Sequence, residues 1–508
     1  MEKRKWSSYQ EAIFKFIRET NDSLVVNAVA GSGKTTTIVE AAKIAREANK
    51  SVLFLAFNKS IATELGVKMD GTGVECKTLH SHGFRAIQRK LGRGCKLNDD
   101  KWKDYIKDNE EALLDDIIFD SDGEKFSYIR DIVKLLNLCR INLFHKSDDT
   151  REIEDLAEHH NLDVDDTQVC IVNDILGICY QIEDEIDFTD MITLPVVNDK
   201  LKRCLPKYDV IFVDEAQDLS RAQRELVLAS LTRDGRFVAV GDKKQAINGF
   251  AGADVVSFNT LAEIAGHELP LSVCYRCGKN IIKEAQSIVD YIQWFEKADD
   301  GQVIHTNKLN ELSTGDMVLC RKTAPLIGLC LRLIANGIPA SVKGRDIAEG
   351  LKSMIMRTKA KTISAMEKKL QKEIDKVERK VIKDGFDGEL SEQPQVVTIH
   401  DKVDCIMMIA DNCTSIDEVI ERVERLFSDT QDGRVITLST VHKAKGLEAD
   451  NAFIICPDLL PMKRKHQQDW ELEQEMNLKY VAITRAKKKL VYVDVSEEKL
   501  AKVELPNS

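Results

Sequence analysis

The chain has 508 residues, of which 43% are hydrophobic and 31% are charged, and its net charge at pH 7 is −11. This length exceeds one ordinary hydrophobic core and, at roughly 150 residues per domain, predicts three or four structural units. No run approaches the ~18 apolar residues of a membrane helix, and the amino terminus lacks the apolar core of a signal peptide. We therefore expect no membrane partner and a cytoplasmic location, in a cell or in the host of a virus, or a nuclear one in a eukaryote.

Cysteine usage and charge distribution narrow the class of protein further. The 13 cysteines are mostly scattered one at a time, which is typical of a reducing compartment. Cys274 and Cys277 form a close pair, but no second pair stands at zinc-binding spacing, so a zinc site is disfavoured. The acidic balance does not exclude nucleic acid as a partner, because an acidic protein can still carry a local basic groove.

A glycine-rich segment follows the first apolar run, Leu24–Val26. It reads Ala-Val-Ala-Gly-Ser-Gly-Lys-Thr over residues 28–35, and a helical pattern begins at Thr36. Such a loop wraps phosphate with backbone N–H groups at a helix start, while its lysine and threonine bind phosphate and Mg²⁺. Ala28 replaces the first glycine of the general pattern, and a chance glycine-rich turn is the alternative. The residues predicted to bind a nucleoside triphosphate are Ala30, Gly31, Ser32, Gly33, Lys34, Thr35 and Thr36.

A second apolar run, residues 209–213, ends abruptly in Asp214 and Glu215. The carboxyl ends of parallel strands face the ligand crevice, so Asp214 is placed to hold Mg²⁺ together with Thr35, and Glu215 to polarise the attacking water. A strand followed by an acidic helix start is the alternative, because carboxylates favour helix N-termini. The phosphate loop upstream favours the catalytic interpretation.

A third apolar run, residues 236–240, is followed by Gly-Asp-Lys-Lys-Gln-Ala-Ile-Asn-Gly-Phe-Ala-Gly-Ala-Asp over 241–254. Together with the phosphate loop and the Asp-Glu-Ala-Gln-Asp segment, this order of motifs resembles superfamily 1 DNA helicases of the UvrD/Rep/PcrA type. The segments Ala-Phe-Asn-Lys-Ser at 56–60 and Thr-Leu-His-Ser at 78–81 are similar to the subgroup around F-box DNA helicases, although no F-box is evident. The resemblance extends from residue 10 to about residue 495.

The resemblance implies ATP and Mg²⁺ as cofactors and a role for each nucleotide-site residue. The catalytic residues that the resemblance implies are Lys34, Glu215, Gln245, Arg276 and Arg485. Arg276 and Arg485 would bring delocalised positive charge to the γ-phosphate, and a surface salt bridge is the alternative for both. Gln245 would report the γ-phosphate state. Further nucleotide contacts are implied for Gln10, which would read adenine, for Tyr275, which would stack on it, and for Glu448, which would touch the sugar.

Contacts to a nucleic-acid strand are expected from aromatic and small polar residues. Aromatic rings grip bases without regard to sequence, because every base has a π-face. Phe250, where the family commonly has tryptophan, is the first candidate, and Asn58, Lys59 and Thr440 would contact phosphates. Buried or structural roles are the alternative for the other aromatic residues. The full predicted set is Phe57, Asn58, Lys59, His80, His82, Phe250, Thr440 and His442.

The fold that the resemblance implies is α/β, with two RecA-like parallel-sheet cores of the P-loop NTPase type, each carrying a mainly helical insertion. Residues 1–85 and 190–266 would form the first core, with residues 86–189 as its helical insertion. Residues 267–348 and 430–508 would form the second core, with a reduced insertion at 349–429. Within that insertion, apolar residues at helical spacing from Ile363 to Val381 would pack on a neighbouring helix or, as the alternative, form a dimerising coiled coil.

The leading hypothesis is an ATP-dependent translocase and helicase that moves 3′ to 5′ on single-stranded DNA and opens tailed duplex DNA. The alternative is a DNA-stimulated ATPase switch or partner subunit that controls a nuclease, annealing or protein displacement with little unwinding. A partner protein from replication, repair, nuclease or defence systems is left open. Thr36 departs from the arginine that the family often carries there, which weakens the expectation of adenine selectivity, and Gly249 and Ala251 replace commonly basic residues.

Overall fold

The computed structural model describes residues 5–115, 117–119, 122–160, 162, 164–182, 184–247, 257–383, 390, 393–427, 435–463 and 467–506. The chain divides into two compact units, Met1–Ser272 and Val273–Ser508. Each contains a six-stranded sheet whose neighbouring strands all run parallel. The prediction of two parallel-sheet α/β cores is therefore confirmed. Among the described residues, no helix has both the length and the apolar character that a membrane span needs.

The first unit builds its sheet in the strand order β3-β2-β6-β7-β1-β8. Its strands are β1 (Leu24–Ala28), β2 (Val52–Ala56), β3 (Glu75–Thr78), β4 (Lys96–Leu97), β5 (Glu185–Ile186), β6 (Tyr208–Val213), β7 (Leu231–Gly241) and β8 (Glu268–Leu271). Its helices are α1 (Ser8–Glu19), α2 (Lys34–Glu47), α3 (Lys59–Lys68), α4 (Leu79–Leu91), α5 (Lys101–Asp108), α6 (Glu110–Leu113), α7 (Asp122–Ile141), α8 (Arg151–His159), α9 (Asp166–Leu176), α10 (Asp190–Val197), α11 (Asp199–Lys202), α12 (Arg221–Ala229) and α13 (Ser257–Ala265).

Both faces of the first sheet are buried, which explains why its central strands are nearly continuous apolar runs. Along β6, Val210 and Phe212 join one apolar cluster, with Phe54 of β2. Ile211 and Val213 join the cluster on the opposite face. This alternation follows from the two-residue period of a strand. The three predicted apolar runs are the strands β1, β6 and β7, which lie side by side, so the segments that follow them meet at one edge of the sheet.

The sequence-based boundary of the first core at residue 266 differs from the observed sheet. Strand β8 pairs in parallel with β1, from Val25 opposite Glu268 to Ala28 opposite Leu271. It is an edge strand of four residues with a proline in its middle, so its local pattern is weak. The last strand of the first sheet therefore lies in the segment that the sequence interpretation assigned to the second core.

The helices α5 to α9 have an apolar cluster of their own, which includes Trp102, Ile132, Leu136, Val172 and Ile175. The helical patterns predicted at Ile129–Leu136 and Val169–Leu176 fall within α7 and α9. The short strands β4 and β5 pair in parallel at the two ends of this helical segment. They hold its entry and exit side by side.

A buried charge network joins this helical segment to α10. Arg140 of α7 is fully buried, and its guanidinium donates to both carboxylate oxygens of Asp187 at 2.6 and 2.9 Å. It also donates to Asp190, the first residue of α10, whose carboxylate lies 3.3 Å from the ammonium of Lys101. Burial opposes ionisation of Asp187, but the hydrogen bond and charge of Arg140 keep the pKa of this carboxyl below its ordinary value. Arg140 and Lys101 thus pair with both buried carboxylates, although burial and the charge of Asp187 raise the pKa of Asp190.

The second unit builds its sheet in the order β11-β16-β15-β12-β14-β13. Its strands are β9 (Val273–Cys274), β10 (Gln293–Trp294), β11 (Gln302–Thr306), β12 (Met317–Cys320), β13 (Ala340–Val342), β14 (Ile436–Thr440), β15 (Ala449–Ile455) and β16 (Ala486–Val493). Its helices are α14 (Lys279–Ala285), α15 (Ala324–Ala335), α16 (Arg345–Arg357), α17 (Ile363–Lys383), α18 (Pro394–Ala410), α19 (Ile416–Leu426), α20 (Asp469–Ile483) and α21 (Glu497–Leu500).

Helix α17 carries the apolar stripe predicted from sequence. Met366 and Leu370 are fully buried, and they share an apolar cluster with Val403 and Ile406 of α18. The α17 and α18 helices pack against each other. Packing on a neighbouring helix, rather than a dimerising coiled coil, therefore accounts for this stripe.

Replacement of Arg140 by alanine is expected to lower the free energy of unfolding of the first unit by about 3–5 kcal/mol, because it leaves buried carboxylates without their guanidinium partner. Chemical denaturation followed by circular dichroism measures this change. Arg130 on the same helix pairs with Asp131 at the surface and provides the control, Arg130→Ala, for which we expect a loss below about 1 kcal/mol. Equal losses for the two variants would contradict the assignment of Arg140 to a stabilising network.

Candidate functional site

The predicted phosphate loop connects β1 to α2 in the geometry of an anion-binding turn. Gly31 and Gly33 have positive φ angles of 66° and 78°, which side chains rarely tolerate. Gly33 caps α2, so the unpaired N–H groups of the first helical turn begin at Lys34. The Ser32 hydroxyl oxygen is buried, and no hydrogen-bond partner for it exists among the described residues. A phosphate oxygen would satisfy it, so the loop fits a phosphate group.

Two carboxylates follow β6 directly beside this loop. Asp214 is buried, and one of its oxygens lies 3.5 Å from the Thr35 hydroxyl. Glu215 adopts a left-handed backbone conformation with φ 53°, and its carboxylate oxygen lies 3.6 Å from the Lys34 ammonium. Non-glycine residues hold this conformation only where their surroundings compensate for its strain. The turn brings Lys34, Thr35, Asp214 and Glu215 together, as the sequence pattern predicts.

Two carboxyl groups at this edge of the sheet, those of Asp214 and Asp242, are buried. Burial, together with the charge of Glu215, raises the pKa of Asp214 to about 7 against the opposing effect of Lys34. Burial also raises the pKa of Asp242, which follows β7. A hydroxyl and a carboxylate side by side are oxygen ligands of the type that Mg²⁺ prefers, and a divalent cation would offset the charge of the buried carboxylates. Thr35 and Asp214 therefore fit a Mg²⁺ site.

Gln217 links the segments that follow β6 and β7 in a way that the sequence analysis missed. Its amide nitrogen donates to Glu215 at 2.6 Å, and its amide oxygen accepts from the backbone N–H of Asp242 at 3.0 Å. Asp242 in turn accepts a 2.7 Å hydrogen bond from the Gln245 side chain. A Cβ atom on Gly241 would lie 2.5 Å from the Gln217 amide oxygen, so this glycine makes room for the bridge. The feature of the sequence that could have indicated this bridge is the glutamine between Glu215 and Asp218.

Gln10 lies beside the phosphate loop through its hydrogen bonds. Its side-chain oxygen accepts from the backbone of Ser7 at 3.1 Å and closes the capping box of α1. Its side-chain nitrogen donates 2.9 Å to the hydroxyl of Thr37, which itself donates to the Gly33 carbonyl. Thr36 is half-buried on the first turn of α2. The adenine contact predicted for Gln10 and the nucleotide contact predicted for Thr36 stay predictions.

In the second unit, Arg276 and Glu448 form an ion pair of 2.6 Å. Lys487 binds the other oxygen of Glu448 at 2.7 Å. Burial opposes ionisation of Glu448, but the hydrogen bond from Lys487 and the charge of Arg276 keep its pKa below the ordinary value. Tyr275 is 41% exposed, and its ring packs on Phe295 with a centroid distance of 5.1 Å. The structure thus brings together three of the second unit's predicted nucleotide residues, Tyr275, Arg276 and Glu448.

Arg485 has a different environment. Its side chain is only 1% exposed, and its guanidinium donates to the carbonyls of Val481 and Leu447 at 2.9 and 2.8 Å and to the Thr484 hydroxyl at 3.1 Å. These contacts tie the end of α20 to the segment before β15. The γ-phosphate role stays a prediction, and the described geometry gives this arginine a structural role.

Several predicted nucleic-acid residues lie at the carboxyl edge of the first sheet. Phe57 directly follows β2 and is 41% exposed, and Lys59 is exposed at the start of α3. Asn58 caps α3 by accepting a 2.9 Å hydrogen bond from the Ile61 backbone. His80, at the start of α4, is half-buried and meets the ring of Phe188 edge-on at 6.1 Å. Exposed rings at this edge are compatible with base stacking.

The nucleic-acid role predicted for His82 needs correction. The side chain is fully buried, and its Nε2 atom lies 2.8 Å from the Ser230 hydroxyl. That hydroxyl donates to the Leu226 carbonyl, so it accepts from a neutral imidazole. Burial lowers the pKa of His82 to about 4. His82 therefore joins α4 to the end of α12, which is the structural alternative considered for it, and it has no surface with which to contact a strand.

The remaining predicted contacts lie in the second unit or outside the described residues. Thr440 ends β14, and its hydroxyl accepts a 3.4 Å hydrogen bond from the backbone N–H of Lys443. His442 lies in the turn that follows, and burial lowers its pKa to about 3, so the ring is neutral. Phe250 falls in the segment 248–256, outside the described residues. No cluster of three or more His, Cys, Asp or Glu residues suited to a metal occurs in the part of the chain that the structure describes.

Comparison with known proteins agrees with this arrangement of motifs. The chain is 25% identical over 539 residues to F-box DNA helicase 1 of Gallus gallus, in an alignment that covers 97% of this chain and 49% of that protein. It is 23% identical over 530 residues to F-box DNA helicase protein 1 of Schizosaccharomyces pombe, with 96% and 57% covered. It thus spans about half the length of these two relatives. A probable DNA helicase II homolog of Mycoplasma pneumoniae is 24% identical over 604 residues, with 93% and 82% covered.

Two family models account for most of the chain. The UvrD-like helicase C-terminal domain matches residues 345–497, which include β14, β15 and α20. The UvrD/REP helicase N-terminal domain matches residues 9–265, about half of the 508 residues, and this match includes the phosphate loop, the carboxylates after β6 and the Gln217 bridge. The chain belongs to the UvrD/REP helicase family.

Proposed function

We propose that this protein is an ATP-dependent single-stranded DNA translocase and DNA helicase that acts on tailed duplex DNA. The observation that carries the proposal is the meeting of Lys34 and Thr35, at the amino end of helix α2, with Asp214 and Glu215, which follow strand β6. This arrangement supplies phosphate binding, metal binding and water activation in one place. The names of the relatives support DNA as the substrate, and movement from 3′ to 5′ rests on the family resemblance alone.

The residues of the first unit have different roles in ATP hydrolysis at this site. Residues 30–36 hold the triphosphate, and Lys34 stabilises negative charge on its β- and γ-phosphates. Thr35 and Asp214 would hold Mg²⁺, which neutralises charge on the phosphate oxygens when bound. Glu215 accepts a proton from the attacking water or orients it. The Gln245 side chain donates to Asp242, and we infer that it responds to the γ-phosphate through the Gln217 bridge.

For the other predicted residues we propose the roles that the family resemblance implies. Gln10 and Tyr275 contact adenine, Glu448 contacts the sugar, and Arg276 and Arg485 add positive charge at the γ-phosphate. The DNA strand is contacted by residues that include exposed aromatic and polar side chains at the ends of strands. These are Phe57, Asn58, Lys59, His80, Phe250, Thr440 and His442. Sequence-independent stacking and phosphate contacts of this kind allow stepping along any strand.

A second function, a DNA-stimulated ATPase switch with little unwinding, is favoured by one observation. The insertion of the second core is reduced, since the described part of the segment between β13 and β14 contains only the four helices α16 to α19. The partner of such a switch would be a nuclease, an annealing factor or a displaced protein. Both functions require DNA-stimulated ATP hydrolysis, so strand separation distinguishes them.

Unwinding of a duplex with a 3′ single-stranded tail is the experiment that tests the proposed function. We expect ATP-dependent release of the labelled strand, with much less release from a blunt duplex or from one with a 5′ tail. ATP hydrolysis without strand release would instead support the switch. Faster unwinding of an RNA substrate would contradict the assignment to DNA.

Substitution of Lys34 by alanine is expected to slow ATP hydrolysis by roughly 10²–10³-fold and to weaken ATP binding, because the ammonium that faces the phosphates is lost. A phosphate-release assay and fluorescent-nucleotide titration measure both effects. Lys43 lies on the same helix, so Lys43→Ala controls for changes in α2 and should retain ATP turnover. Persistence of turnover in the Lys34 variant would show that the phosphate-loop assignment is wrong.

Glu215→Gln is expected to bind ATP and Mg²⁺ with nearly unchanged affinity while slowing hydrolysis by roughly 10²–10⁴-fold, because an amide cannot accept the proton from water. Single-turnover hydrolysis and equilibrium binding separate the two effects. The matched variant Glu225→Gln removes a carboxylate from α12, outside this site, and should leave the rate unchanged. A weakened ATP affinity with an intact rate would assign Glu215 to binding instead.

Gln217→Ala is expected to lower kcat for ATP about tenfold or more while leaving KM for ATP nearly unchanged, because Glu215 loses the 2.6 Å hydrogen bond that orients it. The double variant Gln217→Ala with Glu215→Gln tests the cause. If Gln217 acts through Glu215, Gln217→Ala adds little to the loss that Glu215→Gln already causes. Fully additive effects would mean that Gln217 acts independently of the carboxylate.

A further inference from the structure

Two cysteines bracket the predicted nucleotide residues Tyr275 and Arg276. Cys274 ends β9, and Cys277 comes directly before Gly278, the residue that caps α14. The two side chains are buried, at 0% and 1% exposure. The Cys274 sulfur lies within interaction distance of the Cys277 thiol and of the backbone N–H groups of Arg276 and Cys277. The turn therefore holds the two sulfur atoms next to each other.

Both ends of this turn are fixed by hydrogen bonds to other segments of the second unit. The Cys274 carbonyl accepts from the backbone N–H of Phe295 at 3.1 Å, and the Gly278 N–H donates to the Lys487 carbonyl at 2.8 Å. Gly278 also lies against Gly301, where a Cβ atom would come within 2.6 Å of the Gly301 Cα atom. A change in the distance between the sulfurs must therefore be absorbed by Tyr275 and Arg276.

Cys277 and Arg276 share a hydrogen-bond acceptor. The Thr484 carbonyl accepts from the Cys277 thiol at 3.8 Å and from an Arg276 guanidinium nitrogen at 3.4 Å. The same guanidinium pairs with Glu448 at 2.6 Å. Loss of the thiol hydrogen would remove one of the two donors to this carbonyl. The position of Arg276 is therefore connected to the protonation and oxidation state of Cys277.

Cys274 has the character of a reactive thiol. The hydrogen bond from Cys277, together with the backbone N–H groups and the charge of Arg276, lowers the pKa of Cys274 to about 7 even though burial opposes ionisation. The thiolate is the nucleophilic form of cysteine, and pairs at this spacing are the setting in which such lowering is common. Since the described residues include no cluster of three metal-ligating side chains, a thiol–thiol reaction suits this pair better than metal binding.

We propose that Cys274 and Cys277 form a reversible disulfide that displaces Arg276 and thereby slows ATP hydrolysis, with a hydroperoxide as the oxidant. Its effect on hydrolysis rests on the proposed function, whereas formation of the disulfide does not. The sulfurs must approach to about 2.0 Å for the bond to form. Because the two ends of the turn are anchored, Tyr275 and Arg276 must move to allow this approach. Because both sulfurs are buried, the turn must open locally for oxidation to occur.

The reaction balances with hydrogen peroxide as the oxidant. The Cys274 thiolate attacks one peroxide oxygen, the O–O bond breaks, and hydroxide leaves and takes up a proton to become water. Cys274 is then a sulfenic acid. The Cys277 sulfur attacks the Cys274 sulfur, the S–S bond forms, the S–O bond breaks, and the hydroxyl leaves with the thiol proton as a second water. The two cysteines lose two electrons, and the peroxide gains them.

The test treats the full chain with hydrogen peroxide and measures peptide mass and ATP turnover on the same samples. We expect the peptide that contains both cysteines to lose 2 Da, as two hydrogens leave. We expect ATP turnover to fall about tenfold or more, because an arginine that stabilises the transferred phosphoryl group has moved, and to recover with dithiothreitol. Cys277→Ser keeps a hydrogen-bond donor for Thr484 and should abolish both changes. Cys274→Ala serves the same purpose should the serine variant not fold.

Cys320 and Cys456 provide the control, because they are a second buried pair of hydrogen-bonded thiols in the same unit. Cys320→Ser should leave the mass change and the loss of turnover intact. Absence of the 2 Da loss, or a disulfide that leaves turnover unchanged, would overturn the proposal, as would a loss of turnover that persists in Cys277→Ser. Reduced protein without any ATP turnover would count against the proposed function, and in that case peptide mass still decides whether the disulfide forms.

Discussion

Buried negative charge at the carboxyl edge of the first sheet is the constraint on which the proposed nucleotide site depends. Asp214 and Asp242 follow adjacent strands and are almost wholly removed from water, and Glu215 stands between them in the chain and beside Lys34. An uncompensated buried carboxylate costs several kcal/mol. The raised pKa values of both aspartates reflect this cost, and a metal ion with a triphosphate is the ligand whose charges would offset it. The left-handed Glu215 and the Gln217 bridge hold the carboxylates in this arrangement despite their mutual repulsion.

The central parts of the fold could be predicted from sequence because their signals are local. The runs at β1, β6 and β7 are apolar on both faces of the sheet, and each ends in a short motif with its own chemistry. The motif order therefore indicated which strands carry the nucleotide site. The apolar stripe of α17 was equally visible, since a helix that packs on a neighbour repeats its apolar residues every three or four positions. Strand β8 is too short for its pattern to show to which sheet it belongs.

What the sequence could not indicate depends on contacts between distant segments. His82 stands in a motif with the polar composition of a strand-binding surface, yet its burial depends on Ser230, which lies far along the chain. The bridge from Gln217 to Asp242 likewise joins two motifs that each appear complete on their own. Arg485 was identified by its motif, but the carbonyls that surround it come from two separate segments. In each case the residue could be identified from the sequence, but the contacts that surround it in the structure could not.

The pairing of β4 with β5 has a consequence for how the sequence of such a protein can change in evolution. Lys96 lies opposite Glu185 and Leu97 opposite Ile186, so a long helical excursion leaves the first core and returns to it at nearly the same point. The entropy of closing a loop rises only slowly with its length. The points at which the chain leaves and re-enters the core therefore stay nearly the same, whatever lies between these two strands. An excursion closed in this way can lengthen, shorten or be exchanged without shifting the register of the sheet that holds the nucleotide site.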